Sequence, residues 1–130
     1  MTLPFLGGAV LYAKNISSVA AFYAGVAGLR VVASEPGHIV LESAGFQLTI
    51  VATPPRIAAS IHIASPPQRR ENAALKLVLP VASLVTARAA ALTLGGELNS
   101  ADRERKFQNS RVCDGQDPEG NVIQFREVTL

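Results

Sequence analysis

Two histidines, one cysteine and a run of acidic residues near the C-terminus hold much of the chemistry that this 130-residue chain can offer. His38 follows Pro36-Gly37, the setting of an exposed turn. His62 alternates with Ile61 and Ile63, as on a short strand near a cavity mouth, and is read first as a structural or surface residue. Cys113 sits between Val112 and Asp114 with no base beside it to generate a thiolate, so a buried, inert thiol is expected. Being alone, it forms no intramolecular disulfide and no cysteine metal cluster, and cytoplasm is the default compartment. No Ser-His-Asp triad can be assigned from spacing, because triads are defined by geometry. Gly7-Gly8 and Gly95-Gly96 lack the Gly-Lys-Ser/Thr continuation of a phosphate loop. Arg69-Arg70-Glu71 reads as a surface cluster.

The elements that must position these residues occur twice. Residues 8–14 are an apolar run, followed by Asn15-Ile16-Ser17-Ser18, a helix-start signal. Ile16, Val19, Ala20, Phe22, Tyr23 and Val26 recur at helical spacing until Gly28 stops them. Three strand-like runs follow, 29–33, 38–42 and 46–52, divided by Pro36-Gly37 and Ala44-Gly45. The second half repeats the order: an apolar run at 74–81, Ser83 as cap, a helix over 84–94 ended by Gly95-Gly96, then strands at 97–100, 111–115 and 122–127. A period of about 65 residues suits two halves of one domain, not a solenoid. Modules at about 5–52 and 74–128 leave a connector, 53–73, in which Pro54-Pro55 and Pro66-Pro67 disfavour a long helix or central strand. A short edge strand at 60–63 stays open, and the connector is expected to pack on the core. Residues 102–106 read as a solvated, mixed-charge loop.

Composition narrows the function classes. With 48% hydrophobic and 17% charged residues, the chain can bury a core and disorder is not expected. The net charge of +2 divides evenly, +1 on either side of Ser65, and no Trp accompanies five Phe and two Tyr. Nucleic acid is a poor partner for so even a surface with so few rings. No run of 18 apolar residues exists to span a membrane, and the apolar start 1–11 lacks a basic leader region.

Asp117-Pro118-Glu119-Gly120-Asn121 feeds an alternating strand, Val122-Ile123-Gln124-Phe125. That turn, with Phe22-Tyr23 and Gly28-Leu29 closing the first helix, resembles the signature of the vicinal oxygen chelate superfamily (glyoxalases, extradiol dioxygenases, bleomycin- and fosfomycin-resistance proteins). The resemblance covers nearly the whole chain. It implies an α+β fold in which two βαβββ modules form a mixed, largely antiparallel cup around a central cavity, often in a homodimer.

The resemblance also implies where a metal would be held, seven residues before each helix-opening polar residue and on the last strand of each module. In this chain those positions are Gly8, Gln47, Lys76 and Gln124. Glycine offers no side chain, an ammonium has no lone pair, and carboxamides supplement stronger ligands rather than replace them. No metal and no other cofactor is therefore expected. Strand alternation places Val10 and Tyr12 with Gly8, Thr49 with Gln47, Val78 with Lys76, and Val122 and Arg126 with Gln124. Such an apolar floor with a few convergent polar groups suits a small-molecule site. Lys76 could pair with an anionic ligand that Gln47 and Gln124 orient, while Gln47 and Gln124 could instead bond each other. Arg111, beside Arg105 and Lys106 on a loop that leans over the cup in this family, could close over it. The expected function is metal-independent binding or sequestration of a small anion. The alternative is a lyase, isomerase or dioxygenase-type enzyme, acting through Lys76 or through metal held by unexpected ligands such as His62.

Overall fold

Each copy of the repeat becomes one sheet with one helix laid on a single face. The computed structural model describes residues 7–128; the first residues of module one, 5 and 6, lie outside them. Module one runs β1 (Gly8–Ala13), α1 (Ile16–Ala27), β2 (Arg30–Glu35), β3 (His38–Ser43) and β4 (Phe46–Ala52). Its sheet has the order β1-β4-β3-β2, with β1 parallel to β4 and the other neighbours antiparallel. After α2 (Pro55–Ala58), module two runs β5 (Leu77–Val81), α3 (Leu84–Thr93), β6 (Glu97–Leu98), β7 (Arg105–Phe107), β8 (Ser110–Gln116) and β9 (Val122–Val128). Its sheet repeats the pattern, β5 parallel to β9 and β8 antiparallel to β9, with β6 and β7 both on the far edge of β8. The fold is α+β, two βαβββ modules in a mixed, largely antiparallel open cup.

Local chemistry explains the helices. The Asn15 side chain accepts from the Ser18 N–H to start α1, and Gly28 ends it at φ 70°, the left-handed conformation. Ser83 caps α3 by accepting from the Thr86 N–H. Val19, Phe22, Tyr23 and Val26 of α1 bury against Leu41, Leu48 and Ile50 of the first sheet; Leu84, Ala87 and Ala91 of α3 belong with Leu79, Ile123 and Phe125 of the second. One continuous core results. Phe22 joins its halves, edge-on to Tyr23 at 5.2 Å and to Phe125 at 6.4 Å between ring centres. Each such buried side chain contributes about 1.5–3 kcal/mol.

Three local expectations need correction. Residues 60–63 form no strand; a single helical turn, α2, precedes them, with Pro55 at its start, where a missing N–H costs nothing. The loop read at 102–106 is a 3₁₀ turn, Ala101–Arg103, followed by β7, so β6 and β7 lie end to end along β8. Lys76 immediately precedes β5 instead of lying within it.

The connector is stitched to module two. Gln116, buried, donates to the Pro67 carbonyl at 2.7 Å and accepts from Arg69 Nε at 3.1 Å. The Arg70 N–H donates to the Gly120 carbonyl at 2.8 Å. Gly120 has φ 84°, and a Cβ there would strike the Gln68 carbonyl oxygen, so only glycine fits under the connector.

Candidate functional site

Helices cover one face of each sheet and leave the other open. On the open face of the first sheet, Gly8, Gln47, Glu42 and Arg30 form one row across the strands. Val10, Thr49 and Val40 form the next, and Tyr12, Val51, His38 and Glu35 the third. On the second sheet Val78, Gln124 and Asp114 are neighbours, then Pro80, Arg126, Val112 and Arg105, then Val128, Ser110 and Phe107. Several of these residues are exposed apolar groups: Val10 at 60%, Tyr12 at 61%, and Val78, Phe107 and Val128. A hollow of about 240 Å³ lies against Gly8, Val10, Gln47 and Thr49. A more apolar cleft of about 200 Å³, walled by Val10, Leu11, Leu77, Val122 and Ile123, separates β1 from the β5–β9 pair.

The residues present do not suit a divalent metal. A Cβ at Gly8 would collide with the Gln47 carbonyl oxygen, so the strand geometry admits no ligand side chain there. Gln47 donates through Nε2 to Glu42 Oε2 at 2.9 Å, and the Gln124 Oε1 accepts from Arg126 Nε at 2.8 Å. The two carboxamides serve different sheets and do not bond each other. Among the described residues, no three His, Cys, Asp or Glu side chains come together as a metal site.

Lys76, expected to pair with an anionic ligand, is paired within the protein. Its side chain is 39% exposed, and Nζ donates to Asp114 Oδ2 at 2.8 Å. A carboxylate from the protein already balances its charge, so Lys76 does not require an anion from a ligand. The other Asp114 oxygen, Oδ1, is buried without a hydrogen-bond partner among the described residues.

Arg126 and Arg105 are cations of the second open face without an acidic partner among the described residues, and of the two Arg126 is the one held in place by neighbouring side chains. Its guanidinium lies 4.9 Å from the centre of the Phe107 ring, and the bond to Gln124 fixes its Nε edge. Arg111, expected to close over a ligand, shares instead the helix-side face with Cys113 and Phe125 and points its charge towards Glu104 at 3.8 Å. Glu104 also pairs with Arg88, which donates to the sulfur of the buried Cys113. Glu42, Asp114 and His38 are open-face residues that sequence reasoning did not select. Strand register alone could have placed Glu42 and His38, since each alternates with buried Ile39 and Leu41.

The acidic turn is structural. Asp117 is fully buried and accepts from Tyr23 Oη at 2.8 Å, from the Glu119 N–H at 2.9 Å and from the Asn121 backbone and side-chain amides. Burial raises its pKa, against the pull of those donors; burial, reinforced by the Asp117 charge, holds the Tyr23 pKa well above its ordinary value. Glu119 reaches across to module one and accepts from the N–H groups of Lys14 and Asn15 at 2.9 and 2.7 Å.

A model of a glyoxalase-like domain matches residues 8–125. Among solved structures, a glyoxalase-related enzyme from Fulvimarina pelagi superimposes with a TM-score of 0.67 at 16% identity, covering 96% of this chain and 88% of its own. A glyoxalase/bleomycin resistance protein/dioxygenase family enzyme from Burkholderia phytofirmans PsJN gives 0.66 at 17% identity, covering 95% and 98%. The fosfomycin resistance protein FosX of Listeria monocytogenes gives 0.63 at 17% identity, covering 100% and 95%. At such identities the likeness is one of fold. No curated protein matches the sequence. No helix among the described residues is long and apolar enough to cross a membrane.

Proposed function

Because the chain belongs to the glyoxalase-like domain family of the vicinal oxygen chelate superfamily, we propose that it binds a small anionic molecule without the help of a divalent metal. The observation that carries this reading is Arg126. Its guanidinium is pre-oriented by Gln124 and Phe107 and has no carboxylate partner among the described residues, and the residue stands between Pro80 and Val112 with Val128 next along its strand face. A planar fork in that setting fits a carboxylate or phosphate, and the apolar neighbours fit a compact aliphatic body. The scarcity of aromatic residues argues against a large planar ligand. Pairing of two copies across their open faces would enclose the ligand, and the lone buried thiol fits a cytoplasmic setting.

Catalysis through Lys76 is the weaker alternative. That ammonium is exposed and paired with Asp114, not desolvated as a general base needs to be.

The test is calorimetric titration with a panel of small carboxylates and phosphate esters, with each mixture followed by NMR for turnover. Binding without product, weakened by roughly tenfold or more in Arg126→Met because a charge-assisted bond is lost, supports the reading. Product formation would replace it with an enzymatic one, and equal affinities would move the site elsewhere.

A further inference from the structure

Lys14, Arg69 and Arg70 bring three positive charges to the junction of the connector with the acidic turn, where Arg70 also borders the apolar cleft beside Val10 and Val122. A cavity of about 280 Å³ is walled there by Ile61, His62, Gln68, Arg69, Arg70 and Glu119. Arg69 donates to Gln116 Oε1 at 3.1 Å and to Asn99 Oδ1 at 2.9 Å; Arg70 donates to the Glu119 carbonyl at 3.2 Å. All three acceptors are neutral, and neither arginine has an acidic partner among the described residues. The Lys14 ammonium likewise caps a neutral group, the Ile61 carbonyl.

The negative charge at this place is Glu119. Its two carboxylate oxygens are taken up by the backbone N–H groups of Lys14 and Asn15, and the residue is 5% exposed. Among the charged side chains that wall the cavity, Arg69 and Arg70 outnumber Glu119, an excess of one positive charge, with the Lys14 ammonium close by at the Ile61 carbonyl. The walls are held before any ligand arrives. Gln116 grips Pro67 and Arg69, and the Arg70 N–H is bonded to Gly120.

We propose that this connector cavity is an oxyanion site, binding a phosphate or carboxylate group through Arg69 and Arg70, with His62 and Gln68 at its walls. Two guanidiniums already committed to neutral acceptors keep their charge and their remaining N–H donors for a ligand, and the fork of each matches oxyanion geometry. The fixed walls reduce the ordering that binding would otherwise require. The site shares no residue with the second open face, so it stands or falls apart from the Arg126 reading.

Inorganic phosphate is the probe, titrated at low ionic strength by calorimetry and by ³¹P line width, with acetate as the carboxylate arm. Arg70→Gln removes one charge, and Gln68→Glu places an opposing charge in the wall while leaving both arginines. Each should weaken phosphate by roughly tenfold or more, the scale of one charge-assisted bond. Both substitutions are also made in an Arg126→Met background, in which the open face no longer contributes and phosphate should still bind at the connector. Tighter binding of either anion identifies which oxyanion the site prefers. Absence of saturable binding of both anions by the unaltered protein would overturn the proposal. So would affinities unchanged in both connector variants, or lost only in Arg126→Met.

Discussion

Lys76 and Asp114 face each other across the second sheet, Nζ to Oδ2 at 2.8 Å, beside Gln124 on the intervening strand β9. The pair neutralises the one lysine that family position singles out. Lys76→Met should therefore leave the fold intact and cost at most about 1 kcal/mol in urea unfolding, the range of solvent-screened pairs. Its effect on an anionic ligand should be smaller than that of Arg126→Met. A loss in Lys76→Met equal to or larger than that in Arg126→Met would return Lys76 to the centre of the site.

Metal content gives a second check. With Gly8 backed against the Gln47 carbonyl and Gln47 and Gln124 held by Glu42 and Arg126, protein dialysed after purification should carry well under one equivalent of Zn, Fe, Mn or Ni. Elemental analysis measures this directly. Stoichiometric metal that survives brief chelation would contradict it.

Assembly is expected to follow from the open faces. Val10, Tyr12, Val78, Phe107 and Val128 are exposed on them, and exposed apolar surface is a common basis of association. Light scattering should report twice the 13.7 kDa chain mass at micromolar concentration. Replacing Val10 by Lys should shift the mass downwards. A single-chain mass that does not change on concentration would refute the dimer.

Tyr23 ties stability to alkaline pH. Burial first, and then Asp117, raise its pKa well above the ordinary 10.0. Above that pH an unfolded tyrosine has lost its proton while the folded one keeps it, so the native state binds more protons and stability falls as pH rises. Tyr23→Phe should remove this contribution to the alkaline decline. At neutral pH the same change should cost about 1–3 kcal/mol, because Asp117 loses a donor in a buried place. Chemical unfolding of both proteins at neutral and alkaline pH checks both parts.

Much of the backbone was legible in the residues themselves. Asn15 and Ser83 mark helix starts, Gly28 a helix end, and the period-2 runs give β3, β4 and β9 because these signals act within a few residues of chain. The acidic turn marked the junction of β8 and β9, and glycine at 120 reflects a conformation that other residues resist. The three-residue β7 was not legible, since its pairing with β8 is set by a distant strand and not by its own mixed-charge sequence. Nor was the electrostatics of the site. Asp114 reaches Lys76 across 38 positions of sequence, and Arg69 finds Gln116 and Asn99 across 47 and 30. Sequence determined which residue types stand at the family's ligand positions and that they make a poor metal site. Only the tertiary structure decided which charges are already balanced and which face a cavity unpaired, because pairing depends on strand register and on where the connector crosses the second module.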